Sequence, residues 1–168
     1  MPSQKSPPLA ILETSTGSFN LRKASIEDLP AIVEMLVDDP HGATRDGASG
    51  AEGLAPYRRA FEAIDGDPAQ LLLVAESLDA VVATLQLSFI PGLARRGALR
   101  AQIEAVRVRS DLRGGGLGRA IFAWAIDESC RRGCALVQLT SDKKRADAHR
   151  FYARLGFVAS HEGYKLSL

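Results

Sequence analysis

Residues 102–119 read Gln-Ile-Glu-Ala-Val-Arg-Val-Arg-Ser-Asp-Leu-Arg-Gly-Gly-Gly-Leu-Gly-Arg, and the glycines carry the chemistry. Gly114, Gly115, Gly116 and Gly118 have no Cβ, so their backbone reaches positive φ without steric cost and several N–H groups can converge on one point. A helix starting near Leu117 adds the unpaired N–H groups of its first turn and the positive end of its dipole, and Arg113 and Arg119 add full charges. Donors and positive charge gathered at one place bind an anion, and a diphosphate fits their number.

Spacing separates the families that put glycines between a strand and a helix. A nucleotide P-loop ends in Gly-Lys-Ser/Thr, whereas Gly118 is followed by Arg119 and Ala120. The dinucleotide fingerprint needs a small third residue where Ile121 stands. What remains is Arg/Gln-x-x-Gly-x-Gly/Ala, met by Arg113, Gly116 and Gly118 after the strand end Val106-x-Val108. A second pattern follows at 146–157, where Ala148, Phe151, Tyr152 and Leu155 make one apolar helical face and Gly156 supplies a left-handed C-terminal stop before Phe157. These two segments resemble motifs A and B of the GNAT superfamily of acyl-CoA-dependent N-acetyltransferases. The resemblance covers residues 70–168 and extends to the first 69 by element order alone.

The resemblance implies an α/β fold: a mixed, mostly antiparallel central sheet of six to seven strands flanked by about four helices. The fourth and fifth strands, 98–109 and 136–140, splay apart to admit the pantetheine arm of acetyl-CoA, with a bulge that frees backbone groups. The arm pairs with main-chain atoms of Val106 and Val108, and Arg113, Gly114, Gly115, Gly116, Gly118 and Arg119 hold the diphosphate. The thioester then lies beside Glu104. Strand alternation puts Gln102, Glu104, Val106 and Val108 on one face and Ile103, Ala105 and Arg107 on the other, which separates Glu104 from Arg107. An ammonium has no lone pair, so amine acetylation needs a base, and Glu104 is the candidate. Tyr152, matching the superfamily tyrosine that reaches the coenzyme sulfur, is the candidate acid for the leaving thiolate. One departure is Arg145, where many members carry an asparagine three residues before the motif-B alanine. The Lys143–Arg145 run fits either a coenzyme phosphate or water.

The elements that must position these groups are legible along the chain. Residues 21–24 form a short strand, and Ser25 caps a helix with Asp28 at N3, its apolar face running Ile26, Leu29, Ile32, Val33, Leu36 and Val37. The glycine-rich segment 41–53 corresponds to the variable lid over the acceptor in this superfamily, and a helix runs from about residue 54 to 64. Residues 70–76 and 80–90 form a hairpin, Leu117–Arg132 a helix packing through Leu117, Ile121, Trp124 and Ala125, and Phe157–Leu168 a final strand or hairpin.

Composition fits a single soluble domain at 19–168 preceded by a flexible tail at 1–18 that carries Pro2, Pro7 and Pro8 and no signal-like apolar run. The charge is +1, with 21 basic and 20 acidic residues interspersed, giving no electrostatic case for nucleic acid or a membrane surface. No apolar run approaches the roughly 20 residues of a bilayer span. Cys130 and Cys134 lack the second ligand pair that zinc requires, and His41, His149 and His161 are scattered, so no metal is expected. The expected protein is a cytoplasmic enzyme acting on a small-molecule amine or a protein amine, with a homodimer left open. The other reading is an acyl-CoA-binding sensor or interaction module without turnover.

Overall fold

Residues 80–90 are apolar except for Thr84, Gln86 and Ser88, and they form β4 (Ala80–Ile90), covered on both faces in the interior of the sheet. The computed structural model describes residues 6–38 and 50–168, with side chains from 53 onward in the second stretch. In chain order the elements are β1 (Ala10–Thr14), β2 (Gly17–Lys23), α1 (Leu29–Val37), α2 (Gly50–Asp65), β3 (Gln70–Ser77), β4, the single turn α3 (Ala94–Gly97), β5 (Arg100–Val108), α4 (Leu117–Arg131), β6 (Leu136–Leu139) and α5 (Ala146–Arg154). The strands lie side by side in that same order, antiparallel from β1 to β5, with β6 parallel to β5.

Each face of the sheet buries its own helices. Leu71, Leu73, Ala75, Ala83, Leu85, Leu87, Phe89, Ala101 and Ile103 meet Leu117, Ile121, Phe122 and Ala125 of α4. The other face packs Val74 and Leu72 against Ile32 and Val33 of α1 and Phe61 of α2. Burying a side chain the size of Leu, Ile or Phe is worth about 1.5–3 kcal/mol, so the α4 stripe is a principal tie between helix and sheet. Both α4 and α5 end on left-handed glycines: Gly133 and Gly156 have φ of 76° and 92°, and Cys134 N–H and Phe157 N–H donate back to Ser129 O and Tyr152 O at 2.9 and 3.0 Å.

Three expectations need correction. The proline-bearing tail ends earlier than residue 18, because Ala10–Thr14 form β1 on the edge of β2 and bury Leu12. No strand follows α5 among the described residues: Gly163 passes Thr140 and Glu162 pairs with Lys143 at 3.7 Å, which carries the chain past the end of β6 and leaves Tyr164 and Leu166 exposed. Helix α2 begins four residues ahead of the expected start. Of the glycine-rich lid segment, residues 41–49 lie outside the described residues.

A buried ion cluster fixes the start of α1. Arg22, 2% exposed, donates from Nη1 and Nη2 to Asp28 at 2.7 and 2.9 Å and from Nε and Nη2 to Glu76 at 2.9 and 2.7 Å. Ser25 N–H donates to Asp28 Oδ2 at 2.7 Å, one half of the expected capping box. Burial pushes the Asp28 carboxyl up, but the Arg22 and Ser25 hydrogen bonds outweigh it and hold it below its ordinary value. Removing one partner of such a cluster strands a buried charge, so Asp28→Asn should cost about 3–5 kcal/mol in denaturant unfolding. A folded-state pKa that is depressed contributes stability above the unfolded carboxyl pKa and loses it as pH falls through the folded one. Wild-type melting temperature should therefore decline below about pH 4, and less steeply in Asp28→Asn, as thermal unfolding across pH 2–7 would record.

Candidate active site

The glycine loop is entered by a tight turn in which Arg113 N–H and Gly115 N–H donate to Ser110 O and Leu112 O at 3.3 and 3.4 Å. Gly114 and Gly116 take φ of 84° and 92°, which a side chain would strain, and nothing lies within 4 Å of where a Gly114 Cβ would stand. Gly116 is the N-cap of α4, and no side chain caps the helix, so the N–H groups of Leu117, Gly118 and Arg119 have no intrahelical acceptor. Arg119 stands exposed in that first turn. Open space, uncapped N–H groups and a cation fit a diphosphate.

Two parts of this loop were not visible in the sequence. The turn between β1 and β2 sits on it: Ser15 Oγ donates to Gly115 O at 3.1 Å, and a Cβ on Gly115 would stand 2.6 Å from Thr16 Cγ2. The signal was present as an apolar Leu12, a Ser-Thr-Gly turn and then Phe19 and Leu21 at alternate positions. Arg113 is not a free cation aimed at the anion. Its Nη2 pairs with Asp38 at 3.1 Å and its Nε donates to Val108 O at 3.0 Å, so it ties the end of α1 to the end of β5.

A β-bulge divides β5. From Thr84 to Gln86 β4 advances two residues while β5 runs three, from Arg107 to Glu104, and Ala105 takes φ of 51°. The extra residue reverses the alternation. Glu104 and Arg107 oppose Gln86 and Thr84, two neighbours on one face of β4, so they share the α1/α2 face. Val106 and Val108 pack with the α4 core on the opposite face. The expectation that Glu104 shares a face with Val106 and Val108, away from Arg107, is thus reversed. Among the described residues the Glu104 carboxylate makes no ion pair or hydrogen bond, and it is exposed.

The bulge also faces an unpaired edge. The β5–β6 ladder runs only from Arg100↔Leu136 to Ile103↔Leu139, and β5 continues five residues beyond it. Arg109 N–H donates to Val82 O of β4 at 2.9 Å, so by alternation the main-chain groups of Val106 and Val108 point the other way, into the opening. Their carbonyls accept from Arg107 Nη1 and Arg113 Nε at 2.8 and 3.0 Å, and their N–H groups face the opening. Helix α5 stands beside this opening. Phe122 of α4 meets Phe151, Tyr152 and Phe157 with ring centroids 5.4, 5.7 and 6.2 Å apart, and a Cβ on Gly118 would lie 3.8 Å from both Phe151 and Val108. Loop, open strand edge and Tyr152 helix therefore converge. Lys143 and Lys144 are exposed, and Lys143 pairs with Glu162 at 3.7 Å.

Residues 30–157 match the acetyltransferase (GNAT) family model. The chain belongs to the GNAT family. This GNAT chain is 43% identical to a protein named as a transcriptional regulator from Bacillus halodurans C-125, with a TM-score of 0.85 over 89% of this chain and 99% of the other. A putative acetyltransferase from Agrobacterium tumefaciens superposes with a TM-score of 0.77 at 28% identity, covering 89% of this chain and 99% of that one. The aminoalkylphosphonate N-acetyltransferase of Salmonella typhimurium is 40% identical over 60 residues, 36% of this chain and 39% of the relative. The glucosamine 6-phosphate N-acetyltransferase of Trypanosoma brucei brucei is 34% identical over 88 residues, 52% and 58% of the two lengths. The alignments thus span less than two thirds of either curated relative.

The left-handed Ala105 sets a direct test of the bulge. Ala105→Gly relieves the strain and loosens the unfolded chain, two effects of opposite sign that should leave stability within about 1 kcal/mol of wild type. Ala105→Val, β-branched at positive φ, should cost about 1–3 kcal/mol by chemical denaturation.

Proposed function

We propose that this protein transfers an acetyl group from acetyl-CoA to the primary amine of a small molecule, by direct attack within a ternary complex. The observation that carries this reading is the Glu104 carboxylate at the bulge, without a partner among the described residues and on the face opposite α4, where the β5 edge opens toward the uncapped loop. The loop of Arg113, Gly114, Gly115, Gly116, Gly118 and Arg119 holds the coenzyme diphosphate, chiefly through backbone N–H groups and Arg119. Val106 and Val108 donate N–H groups along the pantetheine arm, and Val106 N–H polarises the thioester carbonyl, an effect worth about 3 kcal/mol when aligned. Glu104 attracts the ammonium from the other face and takes its proton, freeing the lone pair for attack. Tyr152 gives its phenolic proton to the departing sulfur. The two curated relatives are named for amines that also carry a phosphonate or phosphate, which supports a small acceptor. A cytoplasmic setting, where acetyl-CoA is at hand, completes the reading.

One observation favours a second reading. The Bacillus halodurans relative is named as a transcriptional regulator, and an acyl-CoA sensor would keep the loop without needing turnover. Thiol release with an amine panel separates the two.

Gly116→Asp puts a side chain and a negative charge at the N-cap where the diphosphate binds, so calorimetry should show coenzyme A affinity reduced by about 100-fold or more. Equal affinity in the variant would place the site elsewhere. Tyr152→Phe should bind coenzyme A normally while kcat falls by roughly 10- to 1000-fold. Glu104→Gln should lose most activity at low pH, where the acceptor is ammonium, and recover as pH rises toward the acceptor's own pKa. Wild-type pH–rate profiles in both variants would reduce the two residues to scaffolding. Intact-mass analysis with acetyl-CoA and no acceptor should find no acetyl-enzyme that passes its group onward.

A further inference from the structure

Four polar side chains stand in one row across the sheet. Gln70 of β3 opposes Ser88 of β4, Ser88 opposes Gln102 of β5, and Gln102 opposes Gln138 of β6. They occupy the face that carries Leu72 and Val74 beneath α1 and α2, where further apolar packing would be the ordinary solution. Glu104 lies on the same face one row along, opposite Gln86.

The amides of this row are only partly used. Ser88 Oγ and Gln86 Nε2 both donate to Gln70 Oε1, at 2.6 and 3.3 Å, and Gln138 Nε2 donates to Gln102 Oε1 at 2.7 Å. The network assigns each amide its orientation. It leaves the two N–H donors of Gln102 Nε2 and the acceptor oxygens of Gln86 and Gln138 without partners among the described residues, and none of the three is sealed from solvent. A donor with the Gln138 acceptor beside it matches a hydroxyl, which both accepts and donates. A carboxylate or phosphoryl oxygen only accepts, and it would face the Gln138 amide oxygen.

Spacing gives the ligand its length. Alternate residues on a strand are about 6.8 Å apart, so a molecule whose ammonium meets Glu104 presents its hydroxyl to Gln102 roughly 5–7 Å away. We propose that Gln102, between Ser88 and Gln138 in its row, is a specificity-determining residue that reads a hydroxyl of the acceptor, and that the acceptors are hydroxylated primary amines such as amino sugars and amino alcohols. This rests on the transferase reading above. An amine without that hydroxyl leaves the Gln102 donors desolvated and unpaired beneath it, so it is discriminated against.

Matched acceptors test the assignment: 4-aminobutan-1-ol against n-butylamine and glucosamine against cyclohexylamine, by thiol release with acetyl-CoA. Wild type should favour the hydroxylated member of each pair by about 10-fold or more in kcat/KM. In Gln102→Leu, similar in size and apolar, the preference should fall to within about 2-fold, and coenzyme A binding by calorimetry verifies that the variant is folded. Gln138→Leu, at an exposed position, should weaken the preference in the same direction and serves if Gln102→Leu does not fold. Equal kcat/KM for the paired amines in wild type, or a preference that survives both substitutions, overturns the assignment while leaving the transferase reading intact. Coenzyme A binding without thiol release from any amine overturns both.

Discussion

At Ala105 the backbone of β5 turns to a φ of 51°, a conformation that costs an alanine on the order of 1 kcal/mol, and the ladder with β4 absorbs it as one added residue. The strain is held by the pairs on either side, Glu104 with Gln86 and Arg107 with Thr84. Without it, Glu104 would share a face with Val106 and Val108, which pack toward α4. With it, a carboxylate faces the α1/α2 side while the next apolar residues face the other. The bulge therefore lets one short strand turn Val106 and Val108 to the α4 side and Glu104 to the α1/α2 side, across an edge that β6 leaves open past Ile103.

What holds that edge open and in position is a set of ties between segments far apart in sequence. Arg113 reaches from the loop to Asp38 and back to the Val108 carbonyl. The half-exposed ion pair itself contributes little to stability. Its effect is positional, because it spends the Arg113 side chain on structure and leaves backbone N–H groups and Arg119 to meet an anion. On the other flank, Phe122 lies against three rings from α5 and its exit, so the Tyr152 helix is located by packing rather than by polar contacts alone.

The glycine loop, the α4 and α5 helices and their glycine stops were legible because each rests on local rules: glycines at fixed offsets, an apolar stripe at helical period, and a left-handed C-terminal residue. The position of the bulge was not. Alanine carries no signal for positive φ, and a two-residue period read through Ala105 assigns every later side chain of β5 to the wrong face. Strand β1 was hidden behind Pro7 and Pro8, which suggest a tail, although Ile11 and Leu12 follow directly. The expected strand after Phe157 alternates well in Tyr164, Leu166 and Leu168, but alternation alone does not supply a partner ladder. Which polar residues share a row across four strands depends on register, and a single sequence does not encode it in any local pattern.

The hydrogen bond from Ser15 to Gly115 spans 100 residues of chain. During synthesis the β1–β2 hairpin leaves the ribosome long before the loop it rests on exists, so its turn must wait, solvated, for the C-terminal half. Contacts this non-local are slow to form, since loop closure must precede any gain from them. The glycine loop is thus among the last parts of the molecule to acquire its shape, and a nascent or truncated chain ending before residue 118 lacks the uncapped helix start of the candidate site.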